Sequence, residues 1–233
     1  MWFFYDYYYL VLVVPMLIFS LIAQMKVNTT FNKFSKKQTL RAITGERAAR
    51  MILDRNGLFD VRIERVGGNL TDHYDPRANV IRLSDSVYSS SSVAAVGVAA
   101  HEAGHAVQYA KKYLPIKLRA AVIPMTNIGS YLSIPLILLG LLLSGGVVLA
   151  YIGVALFSLT AVFQLITLPV EFNASRRAIS ALEESGSFQS NEISSAKKVL
   201  SAAALTYVAA LAVAIAQLLR LVLIVGGSNN RRD

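Results

Sequence analysis

Four long apolar segments dominate this 233-residue chain and restrict what it can fold into. They run from about 7 to 25, 127 to 143, 147 to 170 and 202 to 225. A helix needs about 20 apolar residues to cross a bilayer, and each segment is close to that length. With 55% hydrophobic residues, the chain is also too apolar for an ordinary soluble domain. The pattern predicts a mainly α-helical membrane protein with four transmembrane helices.

The first segment is expected to be a retained anchor. An aromatic cluster suited to the membrane interface precedes it: Trp2, Phe3, Phe4 and Tyr5. The alternative is a cleaved signal peptide, which carries basic residues at its start and a small-x-small cleavage pattern. This chain has Asp6 instead, and residues 21–23 read Leu-Ile-Ala. Both observations favour a membrane anchor.

The other three segments are predicted to pack in the bilayer. Only Ser144, Gly145 and Gly146 separate the second segment from the third, which predicts a tight transmembrane hairpin. The fourth segment is rich in alanine, as helices packed closely in lipid tend to be. Arg220 lies near its far end and is expected to snorkel toward the headgroups.

Basic residues predict the orientation in the membrane. The net charge is +9, but no motif that reads a nucleic-acid groove is present, so no nucleic-acid partner is expected. The charges crowd two polar segments, at Lys26, Lys33, Lys36, Lys37, Arg41, Arg47, Arg50 and Arg55, and at Arg176, Arg177, Lys197 and Lys198. The positive-inside rule places both segments in the cytoplasm and both termini outside. Arg231 and Arg232 oppose this orientation but are outnumbered.

The polar region after the first segment is expected to contain helices and strands. Thr44 can cap a helix that ends near Arg55, and Gly57 can close it. Residues 61–66 and 80–83 alternate as strands do, and the serines at 89–92 precede a helix over about 93–111. The strand at 80–83 is a candidate edge strand that could pair with an extended substrate. The alternative is a hairpin that packs within the domain and does not bind substrate.

That last helix contains the sequence His101-Glu102-Ala103-Gly104-His105. Residues four apart share one face of a helix, so the two histidines can offer nitrogens to one Zn²⁺. Glu102 follows the first histidine, where its carboxylate can take a proton from a water at the metal. The chain has no cysteine, so any zinc site must use histidine, carboxylates and water. The pattern predicts a zinc-dependent protease.

A catalytic zinc needs a third protein ligand, and two residues are candidates. His73 lies in a polar loop, where a lone histidine is more often a surface residue. Glu171 follows the third apolar segment, where it could begin a helix at the cytoplasmic face. The hairpin returns the chain to the side it left, so Glu171 and the histidines share a compartment. We therefore favour Glu171.

Two segments carry a family resemblance. Residues 99–106, AAHEAGHA, and 169–177, PVEFNASRR, resemble the bacterial family of "putative neutral zinc metallopeptidases", which is membrane-embedded and distantly similar to HtpX-type gluzincin proteases. The resemblance covers essentially the whole chain. It implies His101, His105 and Glu171 as zinc ligands and Glu102 as the catalytic base. HtpX-like enzymes usually have an aspartate four residues after the ligand glutamate, where this chain has Ser175; Asn173 or Asn127 could orient a ligand instead.

Together these features predict a zinc endopeptidase of the bacterial inner membrane with a cytoplasmic α+β zincin-like catalytic domain. Its parts are an anchor (1–25), a catalytic domain (26–126), a transmembrane hairpin (127–170), a cytoplasmic helical segment with the third ligand (171–200), and a last transmembrane helix with its tail (201–233). The expected partners are Zn²⁺, a protein or peptide substrate and the lipid bilayer; a homo-oligomer or a membrane partner protein remains open. Oxyanion candidates are Tyr207, His73 and Arg176.

Two alternatives belong to other classes. The first is an intramembrane protease of the site-2 type, because the helix over 93–110 is itself apolar. Such enzymes place an aspartate ligand in a later span, and the later apolar segments contain no acidic residue before Glu171. The second is a membrane assembly component that holds zinc only for structure. An intact Glu102 argues against it, because a structural site has no use for a base.

Overall fold

The computed structural model describes residues 6–143 and 145–229. The aromatic cluster at 2–5, Ser144, Arg231 and Arg232 lie outside the described residues. The chain is mostly helical, with helices α1 (Val14–Ser35), α2 (Gly45–Arg55), α3 (Asp85–Tyr88), α4 (Val93–Ala110), α5 (Leu114–Leu142), α6 (Val147–Glu184) and α7 (Ser190–Asn229) and strands β1 (Arg62–Val66), β2 (His73–Asp75) and β3 (Val80–Ser84). A π-helical turn, Tyr9–Val13, leads into α1.

Within the described residues, four helical stretches are long and apolar enough to cross a membrane, as the hydropathy pattern predicts: Tyr9–Ser35, Leu114–Leu142, Val147–Glu184 and Ser190–Gly227. Each is longer than the apolar segment within it, because the helices continue into polar sequence. In particular, α6 passes through Pro169 and Glu171 without a break. The expectation that a new helix begins at Glu171 is therefore wrong, since Pro169 is accommodated inside a continuous helix.

The chain forms two compact units. The first comprises Met1–Ala23, Lys117–Leu168 and Thr206–Asp233, and the second comprises Gln24–Ile116 and Pro169–Leu205. The finer boundaries between anchor, catalytic domain, hairpin and tail stay a prediction.

In the first unit, α5 and α6 form the tight helical hairpin that the sequence predicts. Gly145 has a φ of +79°, which permits the short turn. The helix backbones approach each other so closely that a Cβ at Gly140 would lie 2.4 Å from the nitrogen of Ala150. One at Gly153 would lie 2.7 Å from the carbonyl oxygen of Ser133. Small residues thus allow the backbone contact that helices in lipid use for packing.

A buried ion pair joins the two ends of the chain within this unit. Arg220 is 2% exposed, and its Nε and Nη2 donate to Oδ2 of Asp6 at 2.9 and 2.7 Å. Its guanidinium also lies 5.3 Å from the ring centroid of Tyr9. The expectation that Arg220 snorkels is wrong, because a carboxylate from the N-terminal segment satisfies the charge inside the protein.

Breaking this ion pair should destabilise the first unit. Removing one partner of a buried pair costs about 3–5 kcal/mol, and we expect Arg220→Met to lower the thermal unfolding midpoint accordingly. Asp6→Asn and the double variant Asp6→Asn, Arg220→Met complete the comparison, and the double variant, which removes both charges, should recover part of the loss. Thermal unfolding of the purified protein in neutral detergent measures all three variants. A double variant that loses the sum of the two single losses would contradict the pairing.

The second unit contains the small sheet and α4. Thr44 caps α2, its side chain accepting a hydrogen bond from the backbone nitrogen of Arg47 at 3.3 Å, and Gly57 adopts a positive φ. Ser92 caps α4 in the same way through the nitrogen of Ala95. Both predicted helices are confirmed. The core between them contains Leu53, Ile81, Leu83, Ala99 and Ala103.

The sheet has the strand order β1-β3-β2. β3 pairs with β1 in parallel and with β2 antiparallel, the latter through His73 opposite Arg82. The prediction that residues 80–83 form an edge strand is therefore wrong. It failed because the segment around His73, expected to be a polar loop, forms a strand that covers the second edge of β3. In the described chain, the outer strands of this sheet are β1 and β2.

Candidate metal centre

Two histidines from α4 and one carboxylate from α6 meet inside the second unit. The Nε2 atoms of His101 and His105 lie 3.1 Å apart. Oε2 of Glu171 lies 3.3 Å from the first Nε2 and 3.4 Å from the second. Within the described part of the chain, the donor atoms of these three residues are close enough together to hold a metal ion.

The spacing of these atoms fits a tetrahedral zinc ion. Zinc binds histidine nitrogen and carboxylate oxygen at about 2.0–2.2 Å, which separates two ligand atoms of a tetrahedron by about 3.3–3.5 Å. The three observed separations, 3.1, 3.3 and 3.4 Å, are close to this value. Two imidazoles and one carboxylate also leave one tetrahedral position open, as catalytic zinc sites do. The donor set therefore suits Zn²⁺, and the role of each residue as a ligand stays a prediction.

The electrostatics of the centre favour a positive charge. Glu171 is 2% exposed, so its carboxylate is shielded from bulk water. Burial alone would lower the pKa of His105, but hydrogen bonding and charge from Glu171, together with the charge of Glu102 and a hydrogen bond to Gln108, raise it above its ordinary value. The negative charges that raise this pKa would also attract a cation.

Two polar side chains orient the histidines. The amide nitrogen of Gln108 donates to the carbonyl oxygen of Val170 at 2.8 Å, so its Oε1 faces Nδ1 of His105 at 3.0 Å. That Nδ1 must donate, which directs the Nε2 lone pair toward the centre. Oγ of Ser175 lies 3.1 Å from Nδ1 of His101 and can do the same there. Ser175 thus contacts a histidine at the position where HtpX-like proteases usually have aspartate.

A second layer of hydrogen bonds supports Gln108. Oδ1 of Asn173 accepts from Nε2 of Gln108 at 3.0 Å and from Nε of Arg177 at 2.7 Å. Asn173 therefore reaches the histidines through Gln108 and not directly. Sequence analysis missed Gln108, although its position three residues after His105 places both on one helix face and could have revealed it.

Glu102 lies beside the centre, and its surroundings suit a general base. It is 8% exposed, and its carboxylate has no hydrogen bond or ion pair with any residue that the structure describes. Its negative charge acts on Asp72, whose pKa is raised first by burial and further by Glu102. Asp72 in turn accepts hydrogen bonds from the backbone and hydroxyl of Ser84.

The remaining candidates are not part of the donor group. His73 is exposed on β2, and its Nδ1 lies 2.8 Å from the carbonyl oxygen of Thr71. Arg176 is exposed and lines a cleft of about 310 Å³ together with Gly104 and Lys111. Tyr207 and Asn127 belong to the first unit.

Gly104, inside the histidine motif, sets the distance between the two elements. A Cβ at this position would lie 2.6 Å from the carbonyl oxygen of Ala174, on the helix turn that follows Glu171. Real Cβ atoms do not approach backbone oxygens so closely. The absence of a side chain at Gly104 therefore lets α4 lie against α6 with the donor atoms in reach of one another.

Replacing Gly104 should separate the donors. Gly104→Ala must push α4 and α6 apart, and we expect zinc affinity to fall by about 10-fold or more, as when other supports of a metal site are lost. Gly97→Ala is the matched control, because Gly97 lies on the same helix and its added Cβ would meet the Cβ of Ala196 at an ordinary 3.4 Å. Zinc content after dialysis against defined free zinc measures both. Equal zinc content in the two variants would contradict this role for Gly104.

Comparison with known proteins gives the same family that the two motifs indicate. Residues 9–226 match the family described as "Putative neutral zinc metallopeptidase". The chain is 49% identical over 205 residues to the "Putative membrane protease YugP" of Bacillus subtilis (strain 168), covering 88% of this chain and 91% of that protein. No solved structure matches the chain. The protein is a multi-pass membrane protein and belongs to this zinc metallopeptidase family.

Proposed function

We propose that this protein is a zinc-dependent endopeptidase of the gluzincin type that cleaves membrane proteins or chains near the membrane. The observation that carries the proposal is the cluster of three donor atoms, 3.1 to 3.4 Å apart, next to the buried carboxylate of Glu102, which makes no hydrogen bond or ion pair with a described residue. A peptidase of this class needs that combination of a metal site with an open position and a base.

In this proposal His101, His105 and Glu171 hold the zinc ion. When bound, zinc lowers the pKa of water and polarises the carbonyl of the scissile peptide bond. The contact of Gln108 keeps His105 in one tautomer, and the contacts of Gln108 and Ser175 hold both imidazoles in one orientation. Fixed ligands avoid reorganisation during the reaction, which is the general advantage of a supported site.

Glu102 is the general base. Its carboxylate accepts the proton of the attacking water and later delivers it to the leaving amine. Because it makes no hydrogen bond to a described residue, it is available to a water molecule in the site. Arg176, which lines the cleft beside Gly104, is the retained candidate for stabilising the oxyanion. His73 and Tyr207 are weaker candidates, since the first is exposed on β2 and the second belongs to the other unit.

The outer edge of β2 is the proposed binding site for an extended substrate. β2 contacts α4, whereas β1 pairs on the opposite side of β3. An edge strand can pair with a substrate backbone by main-chain hydrogen bonds. This assignment replaces the strand at 80–83, whose two edges are both paired.

The two alternatives have less support. An intramembrane protease would need its zinc helix in the bilayer, and α4 is not among the four stretches long and apolar enough to cross a membrane. A purely structural zinc site would have no use for the buried carboxylate of Glu102. The proposed location is the bacterial inner membrane, with the second unit in the cytoplasm because of its basic residues.

Single substitutions can distinguish the residue that acts as the base from the residues that bind zinc. Glu102→Gln should reduce peptide hydrolysis by several orders of magnitude with zinc retained, because an amide cannot accept the proton. Glu171→Ala should lower zinc content and activity together, since it removes a ligand. His73→Ala is the control and should leave zinc content nearly unchanged. Zinc content by atomic emission and casein hydrolysis are the measurements.

Two results would overturn these assignments. Substantial turnover by zinc-loaded Glu102→Gln would exclude Glu102 as the base. Full zinc in Glu171→Ala with loss in His73→Ala would show that His73 is the third ligand.

The orientation can be tested with single cysteines, because the natural chain has none. Cysteines at Lys36 and Glu183, both exposed in the second unit, should resist impermeant thiol reagents in intact cells. A cysteine at Ser144, between α5 and α6, should react. Reaction of the first two from outside would place the second unit on the other side of the membrane.

A further inference from the structure

A groove of about 510 Å³ between α1 and α7 lies in the second unit and takes no part in the proposed chemistry. Four lysines line it, two from each helix: Lys26, Lys33, Lys197 and Lys198. No acidic residue lines the groove. None of the four lysines has an ion pair with any residue in the described part of the chain. The groove therefore concentrates positive charge that the protein itself does not neutralise.

Hydroxyl groups accompany the lysines. Thr30 of α1 and Ser201 of α7 line the same groove, and their hydroxyls have no hydrogen bond to another described residue. Ammonium groups and hydroxyls are the donors that bind the oxygens of a phosphate group. Phe34 adds an apolar surface beside them. The lining thus suits a ligand that carries a phosphate next to hydrocarbon.

The groove lies where the apolar parts of both helices end. In α1 the apolar run up to about Met25 directly precedes Lys26, and in α7 the apolar run begins at about Ala202, directly after Ser201. In a transmembrane helix this is the level of the lipid headgroups. Basic pockets between helices at this level bind the headgroups of anionic lipids.

A contact beside the groove joins the segment that directly follows α1 to α7. Nζ of Lys37 donates to the carbonyl oxygen of Asn191 at 3.1 Å and to Oγ of Ser195 at 3.0 Å. The groove walls are therefore held in place by the protein, and the four lysines are brought together without a bound anion. A preformed site loses less entropy when it binds a ligand.

We propose that this groove binds the headgroup of an anionic phospholipid, with the phosphate among the four lysines and the hydroxyls of Thr30 and Ser201. The lipid bridges α1 and α7. α7 also contacts α4, where Ala196 faces Gly97. The ligand is a membrane lipid and not a free phosphate ion, because the lysines adjoin the apolar segments of both helices.

The test compares two double variants that lose the same charge. Lys33→Gln with Lys197→Gln removes one groove lysine from each helix. Lys36→Gln with Lys117→Gln is the matched control, since both of these lysines are exposed and neither lines the groove. Thermal unfolding of the purified full-length protein is followed in neutral detergent, with added phosphatidylglycerol, phosphatidylcholine or sodium phosphate at equal concentration.

We expect phosphatidylglycerol to raise the unfolding midpoint of the natural protein and of the control by several degrees, with no such rise in the groove variant. Phosphatidylcholine and sodium phosphate should have no comparable effect. If the control variant also lost the rise of the unfolding midpoint, the effect would come from the reduced net charge, and the proposed site would be wrong. If sodium phosphate raised the unfolding midpoint as much as phosphatidylglycerol does, the groove would be a site for a free anion and not for a lipid.

A second measurement does not depend on the variants. In native mass spectrometry from micelles with equal phosphatidylglycerol and phosphatidylcholine, the natural protein should retain phosphatidylglycerol preferentially. Equal retention of the two lipids would overturn the proposal, even if the groove variant did not fold.

Discussion

The close approach of α4 and α6 is the constraint on which the site depends. The two histidines and Glu171 belong to helices far apart in sequence, and neither helix alone offers three donors. The contact requires glycine at position 104, because a side chain there would meet the carbonyl oxygen of Ala174. Alanine is also frequent in the surrounding core, with Ala99, Ala100, Ala103, Ala106 and Ala178 all buried. Gly104 therefore determines how closely the donor atoms of α4 and α6 can approach each other.

Bringing these polar groups together has a cost that the surrounding residues offset. Histidines and carboxylates lose hydration when buried, and an unsatisfied buried polar group destabilises the fold. Gln108 is fully buried and uses both ends of its amide, one on His105 and the other on Val170 and Asn173. Oγ of Ser175 is a hydrogen-bond partner for Nδ1 of His101. The centre is thus part of a continuous hydrogen-bond network that joins α4 to α6, and this network fixes both distance and orientation.

The sequence predicted correctly those parts of the fold that depend on neighbouring residues in the chain. Thr44 and Ser92 cap their helices because a hydroxyl can reach a backbone nitrogen within the first turn. The four long apolar stretches follow from hydropathy alone, and the short connection at 144–146 predicts the hairpin. Glu171 could be placed near the histidines by the return of that hairpin and by the family resemblance.

Other features depend on partners that are distant in the sequence. Nothing near Arg220 reveals Asp6, 214 residues away, so a buried ion pair was mistaken for a snorkelling side chain. Strand β2 has only three residues, too few for alternation to be recognised, and its absence from the prediction made β3 seem to be an edge. The end of the third apolar segment suggested that a helix begins at Glu171, whereas α6 continues through Pro169 and Glu171 to Glu184.

The continuity of α6 has a consequence for Glu171. At the start of a helix, a carboxylate can be satisfied by free backbone N–H groups, but in the interior those groups already bond to carbonyls one turn earlier. In this structure Oε2 of Glu171 lies 3.3 and 3.4 Å from the Nε2 atoms of His101 and His105, so the two imidazoles share the space in which a metal ion would bind. An ion bound there would contribute its binding free energy to folding, so the stability of the second unit would depend on the concentration of free metal around the protein. Metal supply would then determine how much folded protein a cell maintains, as well as how much of it is active.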